Sequence, residues 1–169
     1  EDAPYVYSRW SNPTVRQLED KLAALEQAPT CRCFASGMAA TAAVLLSALE
    51  SGERLVMSDA NYPGTAEFAR NNLARMGIEV VTVNFSDLDA VEQAVTQSTS
   101  LLWGETPANP AMRITDIQAV AEVAHQSGAR LAIDILGWSR CQSSKHCRVN
   151  LYHGEPAWHR YHSLVSCTG

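Results

Sequence analysis

The 169-residue sequence lacks the features that mark membrane, nucleic-acid-binding and zinc-binding chains. No apolar run reaches the roughly 18 residues that a membrane-spanning helix needs. No block of basic residues occurs, and a net charge of −5 does not favour nucleic acid or anionic lipid. The five cysteines form no pair of CxxC motifs, so we interpret them as reduced thiols and predict no metal site. The expected partner is a small molecule or a second copy of the chain.

The beginning of the sequence also lacks a recognisable targeting segment. Glu1 is not an initiator methionine, and the residues after it form neither a charged nor an apolar signal region. We therefore expect a cytoplasmic protein.

What is present indicates one globular unit followed by a segment of different composition. Hydrophobic residues make up 46% and charged residues 18%, as is typical of a soluble chain that buries a core. After Asp134, histidine and cysteine become frequent, and no helical or alternating period persists. We predict an N-terminal arm and helix over residues 1–30, a partial α/β domain over 31–134 and an atypical tail over 135–169.

Segments with helical and strand periods alternate before Asp134. Helices are predicted over residues 13–25, 38–50, 66–76, 87–97 and 115–126, and strands over 31–35, 54–58, 78–83, 101–104 and 131–134. Thr115 and Gln118 have the spacing of a capping box at the start of the last helix. Since right-handed crossovers place helices on both faces of a mostly parallel sheet, the predicted class is α/β.

Four polar features follow the predicted strands, at the edge where ligands bind in open α/β sheets. They are Ser36-Gly37 before a helix, Tyr62 in a turn, Asn109 between two prolines, and Asp134. The first three have ordinary alternatives, namely a helix-entry turn, a surface aromatic and a rigid loop. Asp134 differs, because a carboxylate that ends an apolar strand needs a cation or a hydrogen-bond donor.

The chemistry of these four features is complementary. A helix N-terminus suits a phosphate, an aromatic face suits a flat ring, and a carboxylate suits a protonated ring nitrogen. Pyridoxal 5'-phosphate (PLP) has all three parts, so the residues predict PLP as the cofactor.

Five motifs carry a resemblance to a known family: YSRWSNPT at 7–14, ASGMAA at 35–40, NYPGT at 61–65, ETPANP at 105–110 and AID at 132–134. In this order they resemble the Cys/Met-metabolism family of PLP-dependent enzymes, over residues 5–134. The resemblance implies the large domain of aspartate-aminotransferase-like, fold type I enzymes, truncated in this chain. It also implies β- or γ-elimination or γ-replacement on sulfur-containing or O-acylated amino acids, that is, trans-sulfuration chemistry.

The resemblance implies a role for each site residue. Gly37 and Met38 would offer backbone amides to the phosphate, and Asn109 would contact the ring hydroxyl. Tyr62 would stack on the ring and Asp134 would pair with its nitrogen, and these two are the predicted catalytic residues.

Tyr7 and Arg9 match residues that, in the family, reach the phosphate site of a neighbouring subunit. A homo-oligomer, dimer or tetramer, is therefore implied. An arginine fork suits phosphate oxygens, and an arm that precedes the first helix can cross an interface. The alternative is that both residues belong to a solvated arm.

The sequence departs from the family at the lysine that binds PLP covalently. Lys21 lies on the first predicted helix, and Lys145 follows Asp134 by only 11 residues, too soon for another crossover. His159 stands about where the lysine belongs. We expect little or no turnover by this chain, which leaves a non-catalytic remnant or a generic ligand-binding domain as alternatives. Lys145 on a mobile loop is a further alternative.

The tail suggests a specific explanation of the missing lysine. Resemblance and composition change together after Asp134, so we hypothesise a shifted reading frame or a truncated product. A metal site in the tail is a rival interpretation, but its candidate ligands fit no strong template: His146, Cys147, His153, His159 and Cys167. We also expect an unpaired sheet edge after Asp134, and core packing for Trp103 and Met112.

Overall fold

A computed structural model describes residues 5, 7–25, 28–108, 110–135, 148–152 and 161–166. Its elements, in chain order, are α1 (Pro13–Leu25), β1 (Thr30–Phe34), α2 (Gly37–Ala48), β2 (Arg54–Ser58), α3 (Pro63–Phe68), β3 (Glu79–Val83), α4 (Leu88–Ala94), β4 (Thr99–Glu105), α5 (Ile117–Gln126), β5 (Arg130–Asp134), β6 (Arg148–Tyr152) and β7 (Tyr161–Ser166). The alternation of helix and strand predicted before Asp134 is confirmed.

Short polar side chains cap four of the helices. Asn12, Ser36, Asp87 and Asp116 each accept a hydrogen bond from the backbone amide three residues ahead, at the starts of α1, α2, α4 and α5. The predicted capping box at Thr115 is wrong. The Thr115 amide donates to the Thr106 hydroxyl instead, and Asp116 caps α5 because its side chain reaches the third amide of the helix.

The helix predicted over residues 66–76 is also organised differently. α3 begins three residues earlier, at Pro63, whose fixed φ suits a first helical turn. The chain then widens into a π turn at Ala69–Leu73 and tightens into a 3-10 turn at Ala74–Met76. Gly77, with φ of +80°, ends the segment as predicted.

One seven-stranded sheet has the order β1-β7-β6-β5-β4-β2-β3. Every neighbouring pair is parallel except the two that β6 makes, which are antiparallel. The predicted mostly parallel sheet is confirmed. The expected open edge beside β5 is wrong, because β6 pairs along it with Asp134 opposite Val149. Pairing uses backbone groups, so a tail without a side-chain period can still form strands.

Helices cover both faces of the sheet, as predicted. On one face, α2 and the π turn pack on Leu55, Met57 and Trp103. On the other face, α4 and α5 pack on Leu102 and Ile133. Because successive strand residues point to opposite faces, this alternation fixes the side on which each strand-end residue lies.

Trp103 and Met112, both expected in the core, differ in burial. The Trp103 side chain is fully buried in the core, as expected. Met112 is 67% exposed, so core packing is wrong there. It has φ of +52° and donates its amide to the Ala108 carbonyl within a tight loop, which points its side chain away from the core. Among the described residues, no helix is long and apolar enough to cross a bilayer.

Candidate functional site

Two buried carboxylates end adjacent strands at one edge of the sheet. Glu105 closes β4 and Asp134 closes β5, and the two are register partners. Their side chains are 2% and 4% exposed. Trp103 and Ala132, two residues earlier on the same strands, belong to the α2 face, so alternation puts both carboxylates on that face.

The turn after β2 brings Tyr62 to the same edge. Its backbone amide donates to Glu105 Oε2 at 2.5 Å, and its carbonyl accepts from the amides of Thr65 and Ala66. The backbone of Tyr62 is therefore held on both sides. Tyr62 is 46% exposed, so part of the residue remains accessible to a ligand.

Gly64 has no side chain, which leaves room for the Tyr62 ring and for Met38 at the start of α2. A Cβ atom at Gly64 would lie 2.5 Å from Tyr62 Cε1 and 3.3 Å from Met38 Sδ. Any side chain at residue 64 would collide with the ring, because real Cβ atoms do not come that close. The Thr65 hydroxyl also lies 3.9 Å from Met38 Sδ. These contacts join the turn that carries Tyr62 to the N-terminus of α2.

The N-terminus of α2 offers donors to an anion. Ser36 caps the helix by accepting from the Ala39 amide at 3.2 Å. The amides of Gly37 and Met38 precede the first intrahelical bond and have no acceptor within the described helix. The helix dipole adds positive potential at this end.

These groups fit PLP. The helix end suits its phosphate, the Tyr62 face suits its ring, and the buried Asp134 suits its protonated nitrogen. The edge also holds polar groups without protein partners among the described residues, namely Asn61 Oδ1, next to Tyr62, and Trp103 Nε1, beneath Glu105. A polar ligand or water at this edge agrees with such unsatisfied atoms.

The structure thus brings together four of the seven site residues that were predicted from the sequence: Gly37, Met38, Tyr62 and Asp134. Asn109 lies outside the described residues.

Tyr7 and Arg9 lie elsewhere in the chain. The Arg9 guanidinium is 4.9 Å from the Tyr7 ring centroid. Arg9 also lines a cavity of about 640 Å³ together with Arg32 and Phe34 of β1. In the sheet, β7 and β6 separate β1 from β5, so these two residues are not beside Asp134 of their own chain.

Sequence reasoning missed Glu105 as a member of the site. It stands in the ETPANP motif, and, like Asp134, it is an acidic residue that ends a buried strand. Its position at the end of an apolar strand is the same signal that indicates Asp134.

Metal ligands are not grouped in the described ranges, where no three His, Cys, Asp or Glu residues could hold an ion. The five tail residues proposed as rival ligands lie outside those ranges, as does Lys145: His146, Cys147, His153, His159 and Cys167.

Known proteins resemble this chain over most of its length. The family described as "Cys/Met metabolism PLP-dependent enzyme" matches residues 1–139. Cystathionine gamma-synthase of Mycobacterium tuberculosis is 40% identical over 130 residues, covering 77% of this chain and 34% of that protein. L-methionine gamma-lyase of Fusobacterium nucleatum subsp. polymorphum is 38% identical over 133 residues, covering 79% and 34%.

A solved structure shares the fold. The crystal structure of metB from Corynebacterium glutamicum superposes with a TM-score of 0.76 at 33% identity, over 80% of this chain and 40% of that one. The chain spans about a third of the length of the curated relatives it matches. With the family match covering residues 1–139, the chain belongs to the Cys/Met-metabolism family of PLP-dependent enzymes, with the α/β fold of their large domain.

Proposed function

We propose that the protein from which this chain derives is a cytoplasmic PLP-dependent enzyme of trans-sulfuration chemistry. It carries out β- or γ-elimination, or γ-replacement, on sulfur-containing or O-acylated amino acids. Relatives named as a synthase and as a lyase, both at about the same identity, support this range of reactions. The choice between synthase and lyase is left open by that equal similarity.

The observation that carries the proposal is the convergence of Tyr62, Asp134 and the α2 N-terminus on one edge and one face. In the proposed roles, the Gly37 and Met38 amides bind the phosphate, and the Tyr62 ring orients the cofactor ring by stacking. Bound PLP supplies an electron sink for charge that develops on the substrate. The Asp134 carboxylate holds the proton on the ring nitrogen, because an ion pair in a buried site favours the protonated form. Asn109, by the resemblance, contacts the ring hydroxyl.

The chain as it stands is proposed to bind PLP without turnover. Lys21 is exposed on α1, which packs against β1 and not against the site edge. No other lysine occurs among the described residues. This placement favours a second candidate for the 169-residue chain itself, a non-catalytic cofactor-binding or oligomerising remnant.

The N-terminal arm is proposed to serve a neighbouring subunit of a dimer or tetramer. Tyr7 and Arg9 are exposed, and Trp10 is 82% exposed. Val15 and Leu18, part of the apolar stripe of α1, are also exposed. An apolar helix face beside an aromatic arm is typical of an interaction surface, and a second copy would bury it.

We further propose that residues 135–169 are not natural family sequence, which leaves 1–30 as arm and helix and 31–134 as the partial cofactor domain. The family match, which ends at residue 139, supports this division. Reading the coding DNA in the other two frames tests it. A Thr-Lys motif after Asp134 in one of those frames is the expected result, and its absence from both rejects the frameshift.

An absorbance experiment tests the function. The purified chain is mixed with PLP, gel-filtered, and scanned before and after borohydride. Retained cofactor with the spectrum of the free aldehyde is the expected result. A band that borohydride traps on a peptide containing Lys145 would instead show that a lysine reaches the site. Loss of all cofactor on gel filtration would reject PLP binding.

A further inference from the structure

The Glu105 carboxylate is buried at the end of β4, where an ionised group needs hydrogen bonds. Only 2% of its side chain is exposed. Taking a carboxylate out of water is unfavourable unless donors meet its oxygens. One donor is the backbone amide of Tyr62, 2.5 Å from Oε2, and a charge-assisted bond of this kind is stronger than a neutral one.

This bond joins segments that are 43 residues apart in the chain. Tyr62 directly precedes the helical run that begins at Pro63 and continues through the π and 3-10 turns to Met76, and no side chain caps its start. The Glu105 carboxylate ties this uncapped turn to the end of β4.

Glu105 also fixes the turn relative to Asp134. The two residues are register partners on β4 and β5, and the Thr106 amide donates to the Asp134 carbonyl at 3.0 Å. The backbone of Tyr62 is thus fixed relative to the strand pair that carries Asp134, and its ring lies against Gly64.

We propose that Glu105 is a positioning residue for PLP, which sets the separation between the Tyr62 ring and the Asp134 carboxylate through its bond to the Tyr62 amide. This inference rests on the proposed PLP site. Glu105 holds the backbone amide of Tyr62 and thereby the position of the ring, so its effect on PLP binding disappears when the ring is removed.

Two variants of Glu105 differ in whether the side chain can still accept the hydrogen bond from the Tyr62 amide. Glu105→Ala removes the acceptor, whereas Glu105→Gln keeps an amide oxygen that can accept from Tyr62. Glu92→Gln, at an exposed position of α4, is the control. The readouts are hydrogen exchange at the Tyr62 amide, which needs no cofactor, and the Kd for PLP by equilibrium dialysis.

We expect Glu105→Ala to speed exchange at the Tyr62 amide and to raise the Kd about tenfold. Glu105→Gln should retain most of the protection and of the affinity. In a Tyr62→Ala background the backbone amide remains but the ring that it positions is gone, so Glu105→Ala should change the Kd little further. Additive losses in that double variant would overturn the inference, since they would show an effect independent of Tyr62.

Failure of the inference is distinguishable from failure of the PLP site. If the unchanged chain binds PLP and Glu105→Ala binds equally well, the positioning role is rejected while the site stands. A Glu105→Gln chain as weak as Glu105→Ala would also reject it, and this comparison holds if the alanine variant folds poorly. If the unchanged chain binds no PLP, the site and the positioning role fall together.

Discussion

Asp134 contributes a buried carboxylate whose proposed partner is the protonated nitrogen of PLP. Asp134→Ala should therefore raise the Kd for PLP about 10- to 100-fold, which corresponds to ~1.4–2.7 kcal/mol. Equilibrium dialysis measures this, with Glu92→Gln on the opposite face of the sheet as control. Equal affinity of the Asp134→Ala and unchanged chains would remove Asp134 from the site.

Gly64 is the residue that allows the Tyr62 ring to lie where it does. Gly64→Ala would place a methyl group 2.5 Å from Tyr62 Cε1, so the exposed ring has to swing away. We expect the affinity for PLP to fall to that of Tyr62→Ala, with little change in the urea midpoint of unfolding. Tyr62→Phe, which keeps the ring, is the matched control and should bind nearly as well as the unchanged chain. Unchanged affinity in Gly64→Ala would show that this ring position does not serve the cofactor.

Glu53 gives the fold a pH dependence away from the site. A hydrogen bond from Ser100 lowers the pKa of Glu53 below its ordinary 4.5, burial opposes this, and the Glu50 amide and the Arg130 charge assist it. Its stabilising contribution is therefore complete above about pH 4.5 and is lost as the pH falls through the lowered pKa. In Glu53→Gln the free energy of unfolding should decrease less as the pH falls through this acidic window. Urea unfolding between about pH 3 and 6 measures the difference. Parallel pH profiles for the two chains would contradict the assignment.

Single residues show where sequence reasoning reaches its limit. The burial of Asp134 follows from its place after the apolar strand residues Leu-Ala-Ile, and the structure agrees. The Glu105 bond to Tyr62 could not be foreseen, because it joins a strand end to a turn 43 residues away. Periodicity carries no information on such long-range contacts.

Among the elements, α1 and β1 depend on one buried acid. Glu19 Oε1 accepts from the Cys33 amide at 3.0 Å, and Oε2 lies 3.2 Å from Arg32. Because β1 is an edge strand, its outward amides need partners from outside the sheet. Glu19→Ala should lower the free energy of unfolding by about 1–3 kcal/mol, through loss of the hydrogen bond that the Cys33 amide donates to Glu19.

Urea unfolding, together with hydrogen exchange at the Cys33 amide, measures this effect. Glu19→Gln keeps an acceptor, so its free energy of unfolding should fall by roughly half as much as in Glu19→Ala, or less. If Glu19→Ala were as stable as the unchanged chain, the α1 contact would not support the β1 edge.

The elements themselves were predictable where a period was strong. β2 has the bounds that were predicted, and α1 follows the spacing of its leucines. The start of α5 was not predictable, because Thr115 and Asp116 are both good capping residues and only the fold decides which one is used. The early start of α3 likewise depends on Pro63, which favours a first helical turn but is not part of the apolar periodicity.

At the scale of the whole molecule, β6 and β7 join the two parts of the sheet. They stand between β5 and β1, so they connect the α1–β1 unit to the strands that carry the site. Removing residues 136–169 should expose the edge of β5 and cause self-association, because an open edge pairs with other chains. Size-exclusion chromatography measures this, and a shortened chain that stayed as dispersed as the full one would contradict it.

The alternation of helical and strand periods in the sequence predicts the fold class. It does not predict that β6 pairs beside β5. Helix and strand alternate five times before Asp134, and this predicts a covered parallel sheet. The antiparallel β6 arises from a segment without side-chain periodicity, where pairing is decided by backbone groups and by the vacancy beside β5. Sequence patterns report side chains, so they cannot report that pairing.

A crystal structure of this chain grown with PLP is the decisive experiment. We expect the cofactor ring between Tyr62 and Asp134, with its phosphate at the amides of Gly37 and Met38. A crystal in which the chain is folded but PLP is absent from that edge, or is bound only at a surface lysine, would show that this edge is not a PLP site.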